Sequence, residues 1–230
     1  MSSLFFFPHL GLGDHIICHG IVVELLKDYD KIVMPVKNHN VKSVEFLCQG
    51  LNVSIIPVDD DMDAYKAAKE TEGDHLGLGF HGKNFLRDHN NFSKSFYEQA
   101  NVEFSKAWDN FKIKRIIQTE NKLCERLINT RPFAFVLDDK SRDLVANKLE
   151  TSLPIVRPRK SLSDTIFDYC SIIEEADELH LIDSSFALLA DRLSLKAQRK
   201  VIHRYVRLDR SKGAQELMPT HYKQEWEYVL

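Results

Sequence analysis

Leu4-Phe5-Phe6-Phe7-Pro8-His9-Leu10-Gly11-Leu12-Gly13-Asp14-His15 is the stretch on which the fold assignment turns. Its apolar run does not alternate with polar residues, so as a strand it is buried on both faces, as in a parallel sheet. The glycine loop leads into Ile16 to Tyr29, which reads as a helix with Ile17, Ile21 and Leu25 on one face. Strand, glycine turn and helix in this order open a βαβ unit. Gly11 and Gly13 allow positive φ and a close approach of backbone to ligand. The helix start adds free N–H groups and a partial positive charge. Asp14 falls at or near the N-cap, where it reads either as a cap or as a working carboxylate. Its place at the carboxyl end of the first strand, where open α/β sheets take their ligands, favours the second. The loop lacks the third glycine of a dinucleotide fingerprint and the Lys-Ser/Thr of a P-loop.

The pattern continues outward. Lys31 to Val36, Val53 to Val58 and His75 to Phe80 read as strands, and Val41 to Gln49 and Met62 to Thr71 as helices. Phe92 to Phe111 is an aromatic, helix-like stretch, and Glu120 to Thr130 a helix or linker. The alternation then restarts, with strands at Phe133 to Leu137, Leu153 to Val156, Glu178 to Ile182 and Lys200 to Val206. Helices are expected at Ser141 to Leu149, Ser163 to Glu175 and Phe186 to Leu193, with a short terminal one over Tyr222 to Val229. The expected architecture is α/β: two Rossmann-like parallel-sheet halves, 1–120 and 121–230, facing across a cleft floored by Gly11 to His15.

Composition narrows the class. The 31 basic and 34 acidic residues leave a net charge of -3, against the basic excess of a dedicated nucleic-acid binder. The four cysteines form no CxxC pair, so reduced thiols and a cytoplasmic setting are expected, without a zinc site. The N-terminus lacks the basic flank and cleavage site of a signal peptide. No apolar run approaches the ~20 residues needed to span a bilayer. His15 and His19 have i,i+4 spacing, but no acidic partner or HExxH supports a metal. His15 is expected to line the cleft beside Asp14, and His81 to stand at the sheet's carboxyl edge. His203 reads equally as a core histidine or a site residue.

A second constellation lies in Leu181-Ile182-Asp183-Ser184-Ser185-Phe186, again strand, polar turn and helix. Ser184 or Ser185 can cap the helix or donate a hydroxyl to phosphate, and Asp183 can accept from sugar hydroxyls. Arg157, Arg159 and Lys160 follow a strand end and suit either a diphosphate clamp or a solvated loop. Lys140 and Arg142 are further candidates for the same role.

Taken together, Gly11-Leu12-Gly13-Asp14 and the later Ala176-Asp177-Glu178-Leu179-His180-Leu181-Ile182-Asp183-Ser184-Ser185 resemble the GT-B glycosyltransferases. The closest likeness is to the ADP-heptose:lipopolysaccharide heptosyltransferase family. The resemblance implies inverting, metal-independent sugar transfer from a nucleotide-diphosphate sugar to a glycan or other hydroxyl acceptor, with no further cofactor. It implies that Asp14 is the catalytic base. Asp183, Ser184 and Ser185 would hold donor sugar and phosphates, with Gly11, Gly13 and His15 lining the site. Where the family places a histidine beyond the second turn, this chain has Phe186-Ala187-Leu188-Leu189. That departure keeps open a non-catalytic glycan- or nucleotide-binding module of the same fold. The aromatic segment 92–111 keeps open a scaffold role.

Overall fold

A computed structural model of the chain describes residues 2–82, 92–137, 149–204 and 221–229. The described residues form two compact units that divide between Lys114 and Arg115, with His221 in the first and Tyr222 onward in the second. The expected boundary at 120 falls inside a helix of the second unit, Ile117–Leu127.

The first unit contains β1 (Ser3–Phe7), α1 (Leu12–Leu25), β2 (Lys31–Lys37), α2 (Val41–Leu47), β3 (Val53–Val58), α3 (Asp61–Glu70), β4 (Asp74–Gly77), α4 (Phe92–Gln99) and α5 (Lys106–Asp109). Its sheet runs β3-β2-β1-β4 with every pairing parallel. Leu4 to Phe7 are all buried, as the unalternating run requires. Phe5 and Phe7 pack with Leu10, Val33, Val58 and Ala64 on the side that carries α3.

Several boundaries differ from the sequence pattern for local reasons. Helix α1 starts at Leu12 rather than Ile16, because the Gly11 carbonyl accepts from both Asp14 N–H and His15 N–H. Strand β4 stops at Gly77, since Gly79 takes φ +58 and turns the chain into a 3-10 turn, Gly79–His81. The aromatic stretch is two helices, not one, broken where Asn101 adopts φ +52. Its aromatics build core: Phe96 and Tyr97 are fully buried, and Tyr97 Oη donates to the Ile17 carbonyl at 2.6 Å.

The second unit contains α6 (Ile117–Leu127), β5 (Ala134–Val136), β6 (Ile155–Val156), a 3-10 turn (Ile166–Tyr169), α7 (Cys170–Glu175), β7 (Glu178–Leu181), α8 (Ser185–Ala190), β8 (Arg199–His203) and β9 (Glu227–Val229). Its sheet runs β6-β5-β7-β8-β9, again wholly parallel. The helix expected over Ser163–Glu175 is shorter and begins as a 3-10 turn capped by Thr165. The one expected over 141–149 falls almost wholly outside the described residues.

The expected terminal helix is instead a strand, β9. Glu225-Trp226-Glu227-Tyr228-Val229 alternates polar with aromatic or β-branched residues, a strand period. The buried Asp191 carboxylate also captures the N–H groups of Lys223 and Gln224 and the Trp226 indole, holding the tail against β8. Away from the site, Glu120, 1% exposed, accepts from Arg115, Ser171 N–H and Ser171 Oγ. This is a fully partnered carboxylate, whose charge the Arg115 guanidinium offsets.

Gly20 sets the spacing of α1 and α5. A Cβ there would lie 2.2 Å from the Lys106 carbonyl oxygen. Helix propensity favours alanine over glycine by about 1 kcal/mol, but a clash with backbone cannot be relieved by rotating a side chain. Gly20→Ala is expected to lower stability by about 1–3 kcal/mol, read as a lower urea midpoint. An equal or higher midpoint would contradict this close approach.

Candidate functional site

Each sheet reverses its strand order once: the first between β1 and β4, the second between β5 and β7. At such a point the loops on the two strands leave in opposite directions, opening a crevice at the carboxyl edge. Both sequence constellations emerge there. The first follows β1 and the second follows β7.

In the first unit Gly11 is the N-cap of α1 and gives no side-chain cap. Asp14 is the third helical residue, not the cap, and at this position its charge complements the helix dipole. A Cβ on Gly11 would lie 2.6 Å from Asp14 Oδ2. The carboxylate is therefore folded back against the bare Cα. Gly11 has φ -73, a value open to any residue, and a side chain there would displace only the end of the Asp14 side chain. Gly13 occupies the second helical position.

His15 departs from its expected place at the cleft. It is 2% exposed, and neither ring nitrogen has a hydrogen-bond partner among the described residues. Burial pushes its pKa down to about 4, so it is neutral at pH 7.

The edge beside Asp14 is instead furnished by His9, Phe80 and Tyr65 together with His81, the one of the four expected there. His9 Nε2 accepts from Phe80 N–H at 3.0 Å, and the two rings stack at 5.0 Å. This ties the loop after β1 to the turn after β4. Gly79 is needed twice here, for its positive φ and because a Cβ would meet His9 Nε2 at 2.2 Å. His81 stacks on Phe7 at 3.9 Å, and its Nδ1 lies 2.7 Å from the Tyr65 hydroxyl. Burial lowers the pKa of His9 to about 4 and that of His81 as well, while Asp61 opposes both shifts. His81 had been placed at this edge by position. His9 carried a weaker signal: a histidine two residues beyond a buried strand.

In the second unit Ser184 is the N-cap of α8, but its Oγ makes no cap bond and is buried with no partner among the described residues. Ser185 opens the helix. The expected use of Asp183 for sugar hydroxyls meets a competing arrangement. Tyr222 Oη donates to Asp183 Oδ1 at 2.9 Å, and Arg204 Nε lies 3.4 Å from Asp183 Oδ2. Burial and this carboxylate raise the Tyr222 pKa well above its ordinary value, keeping the phenol a donor. Neither Tyr222 nor Arg204 was singled out from sequence. Both lie far along the chain and reach Asp183 only through the β7-β8-β9 order.

Arg157, Arg159 and Lys160 follow β6, on the same carboxyl edge but with β5 between β6 and β7. Arg157 is half-buried, and Arg159 and Lys160 are exposed. The loop is pinned by Tyr169, whose hydroxyl accepts from Arg159 N–H at 2.8 Å and donates to its carbonyl at 2.9 Å. Lys140 and Arg142 lie outside the described residues. His203 is a core histidine, its Nε2 3.1 Å from His180 Nδ1. Among the described residues no group of three metal-ligating side chains forms a metal site, and no helix is long and apolar enough to cross a membrane. No family model, curated protein or solved structure matches the chain.

The histidines set an acid limit. His9 and His15 are neutral in the fold down to about pH 4, whereas in the unfolded chain they protonate near 6.5. Between these values the unfolded state binds the extra protons, so stability falls as pH falls through that window. The loss is on the order of 3 kcal/mol per histidine. Urea midpoints are expected to drop between pH 7 and 4.5. His15→Leu should shrink that drop and, by removing unpartnered buried nitrogens, raise the midpoint at pH 7. An unchanged pH slope in this variant would count against burial as the cause.

Proposed function

We propose that this protein is a glycosyltransferase of GT-B type, moving a sugar from a nucleotide-diphosphate sugar to a hydroxyl acceptor. One observation carries the reading. In each of two parallel sheets, the polar turn singled out from sequence emerges where strand order reverses, the usual ligand position in open α/β sheets. Asp14, held against Gly11 at the end of β1, supplies the base. Ser184 and the basic residues at the carboxyl edge of the second sheet supply donor contacts.

The chemistry this supports is a single displacement. The acceptor hydroxyl gives its proton to the Asp14 carboxylate as its oxygen bonds to the anomeric carbon. The bond from that carbon to the diphosphate breaks, the diphosphate departs with the electron pair, and configuration inverts. General-base assistance contributes roughly 10²–10⁴-fold. Donors preorganised around the departing diphosphate stabilise its growing charge.

A non-catalytic glycan- or nucleotide-binding module is the second reading, and Phe186 favours it. In the resembled family a histidine stands a few residues beyond the turn. Here Phe186 is buried, with its ring 5.9 Å from Phe135 and 5.7 Å from Tyr169.

A thermal-shift screen against nucleotide sugars, followed by a transfer or hydrolysis assay on each hit, separates the readings. A transferase is stabilised by at least one donor and turns it over. Asp14→Asn should keep the stabilisation and lose turnover by roughly 10²–10⁴-fold. Stabilisation without turnover supports the binding module, and no shift across the panel removes both.

A further inference from the structure

We infer that Arg204 is the side chain that receives the diphosphate at the carboxyl edge of the second sheet. This rests on the transferase reading and deepens it, because that edge offers several cations and the fold distinguishes among them.

Arg204 directly follows β8, next to β7 in the sheet, so it shares an edge with Asp183 and Ser184. Two contacts and its burial hold it in place. Its Nε lies 3.4 Å from Asp183 Oδ2, its guanidinium carbon lies 4.0 Å from the centroid of the Tyr228 ring, and its side chain is only 23% exposed. Ring and carboxylate orient the plane of the guanidinium. The two Nη atoms have no hydrogen-bond partner among the described residues. They form the end of a planar fork, the geometry that matches two phosphate oxygens. A fork already held loses little conformational entropy when it binds.

The neighbouring Ser184 hydroxyl supplies an independent pointer. Its oxygen is buried and has no hydrogen-bond partner among the described residues, an unfavourable state unless something accepts or donates there. Ser184 directly follows Asp183, the carboxylate that faces Arg204, so this hydroxyl belongs to the same turn as the cation's partner.

The same geometry reassigns Asp183. One of its oxygens accepts from Tyr222 and the other faces Arg204 in an ion pair, so it acts as a positioning residue for the cation. The alternative cations are less prepared. Arg159 and Lys160 are exposed, and the interactions that pin Arg159 involve its main chain.

The test is calorimetric titration of the full-length chain with ADP, UDP, GDP, CDP and inorganic pyrophosphate at low ionic strength. Arg204→Ala should weaken whichever nucleoside diphosphate binds by about 10- to 100-fold, the loss of charge-assisted hydrogen bonds. Pyrophosphate should weaken by the same factor, since the fork reads phosphate and not base. Arg204→Lys keeps the charge without the fork and is expected to fall between; it decides the matter if the alanine variant does not fold. Wild-type affinity in both variants overturns the inference and leaves the transferase reading standing. So does a loss confined to nucleotides with pyrophosphate unaffected, or a loss produced by Arg159→Ala or Lys160→Ala in place of Arg204→Ala. Failure of the wild-type chain to bind any of the five ligands removes the transferase reading together with this inference.

Discussion

A parallel sheet that places its first strand in the interior must send successive connections in opposite directions from that strand. In the first unit the chain moves from β1 outward through β2 to β3, then returns to lay β4 on the other side of β1. The loops after β1 and β4 consequently diverge, and the bond from Phe80 N–H to His9 Nε2 joins them. That bond requires a neutral imidazole with a lone pair on Nε2. Burial guarantees this by holding the His9 pKa near 4. It also requires glycine at position 79, where φ is positive and the imidazole leaves no room for a Cβ. The furnishing of the edge beside Asp14 thus follows from strand order, through one hydrogen bond.

The two units meet the same topological demand with different chemistry. The first fills its edge with stacked rings: Phe7 on His81, and His9 on Phe80. The second fills its edge with charge: Asp183 between a phenol and a guanidinium. A ring-lined edge suits a neutral, hydroxyl-bearing ligand. An edge with an oriented guanidinium and an unsatisfied hydroxyl suits an anion.

Much of the scaffold could be read from the sequence because strand burial is written locally. Val53–Val58 has the bounds its apolar run predicts, and Leu4 to Phe7 are all buried. Both turns that carry the proposed site were visible as strand, polar residues and helix. The misreadings have specific causes. Helix α1 starts early because a backbone carbonyl at Gly11, invisible to periodicity, accepts two bonds. The tail is a strand because β8 offers it a parallel partner, while Asp191, far earlier in the chain, anchors the residues just before it. His15 has a polar side chain in a helical position that packing has buried, and a one-dimensional pattern cannot distinguish that from an edge position.

The most instructive difference concerns the cation. Basic residues cluster after a strand at Arg157, Arg159 and Lys160. Clustering, however, measures local density, whereas a phosphate contact depends on orientation. Arg204, directly after β8, acquires its orientation from Asp183 in the turn after β7 on one side and from Tyr228 on β9 on the other. Each partner is contributed by a separate crossover of the sheet. The property that makes Arg204 the better ligand is therefore a product of parallel strand order, and it exists only once β7, β8 and β9 are in register.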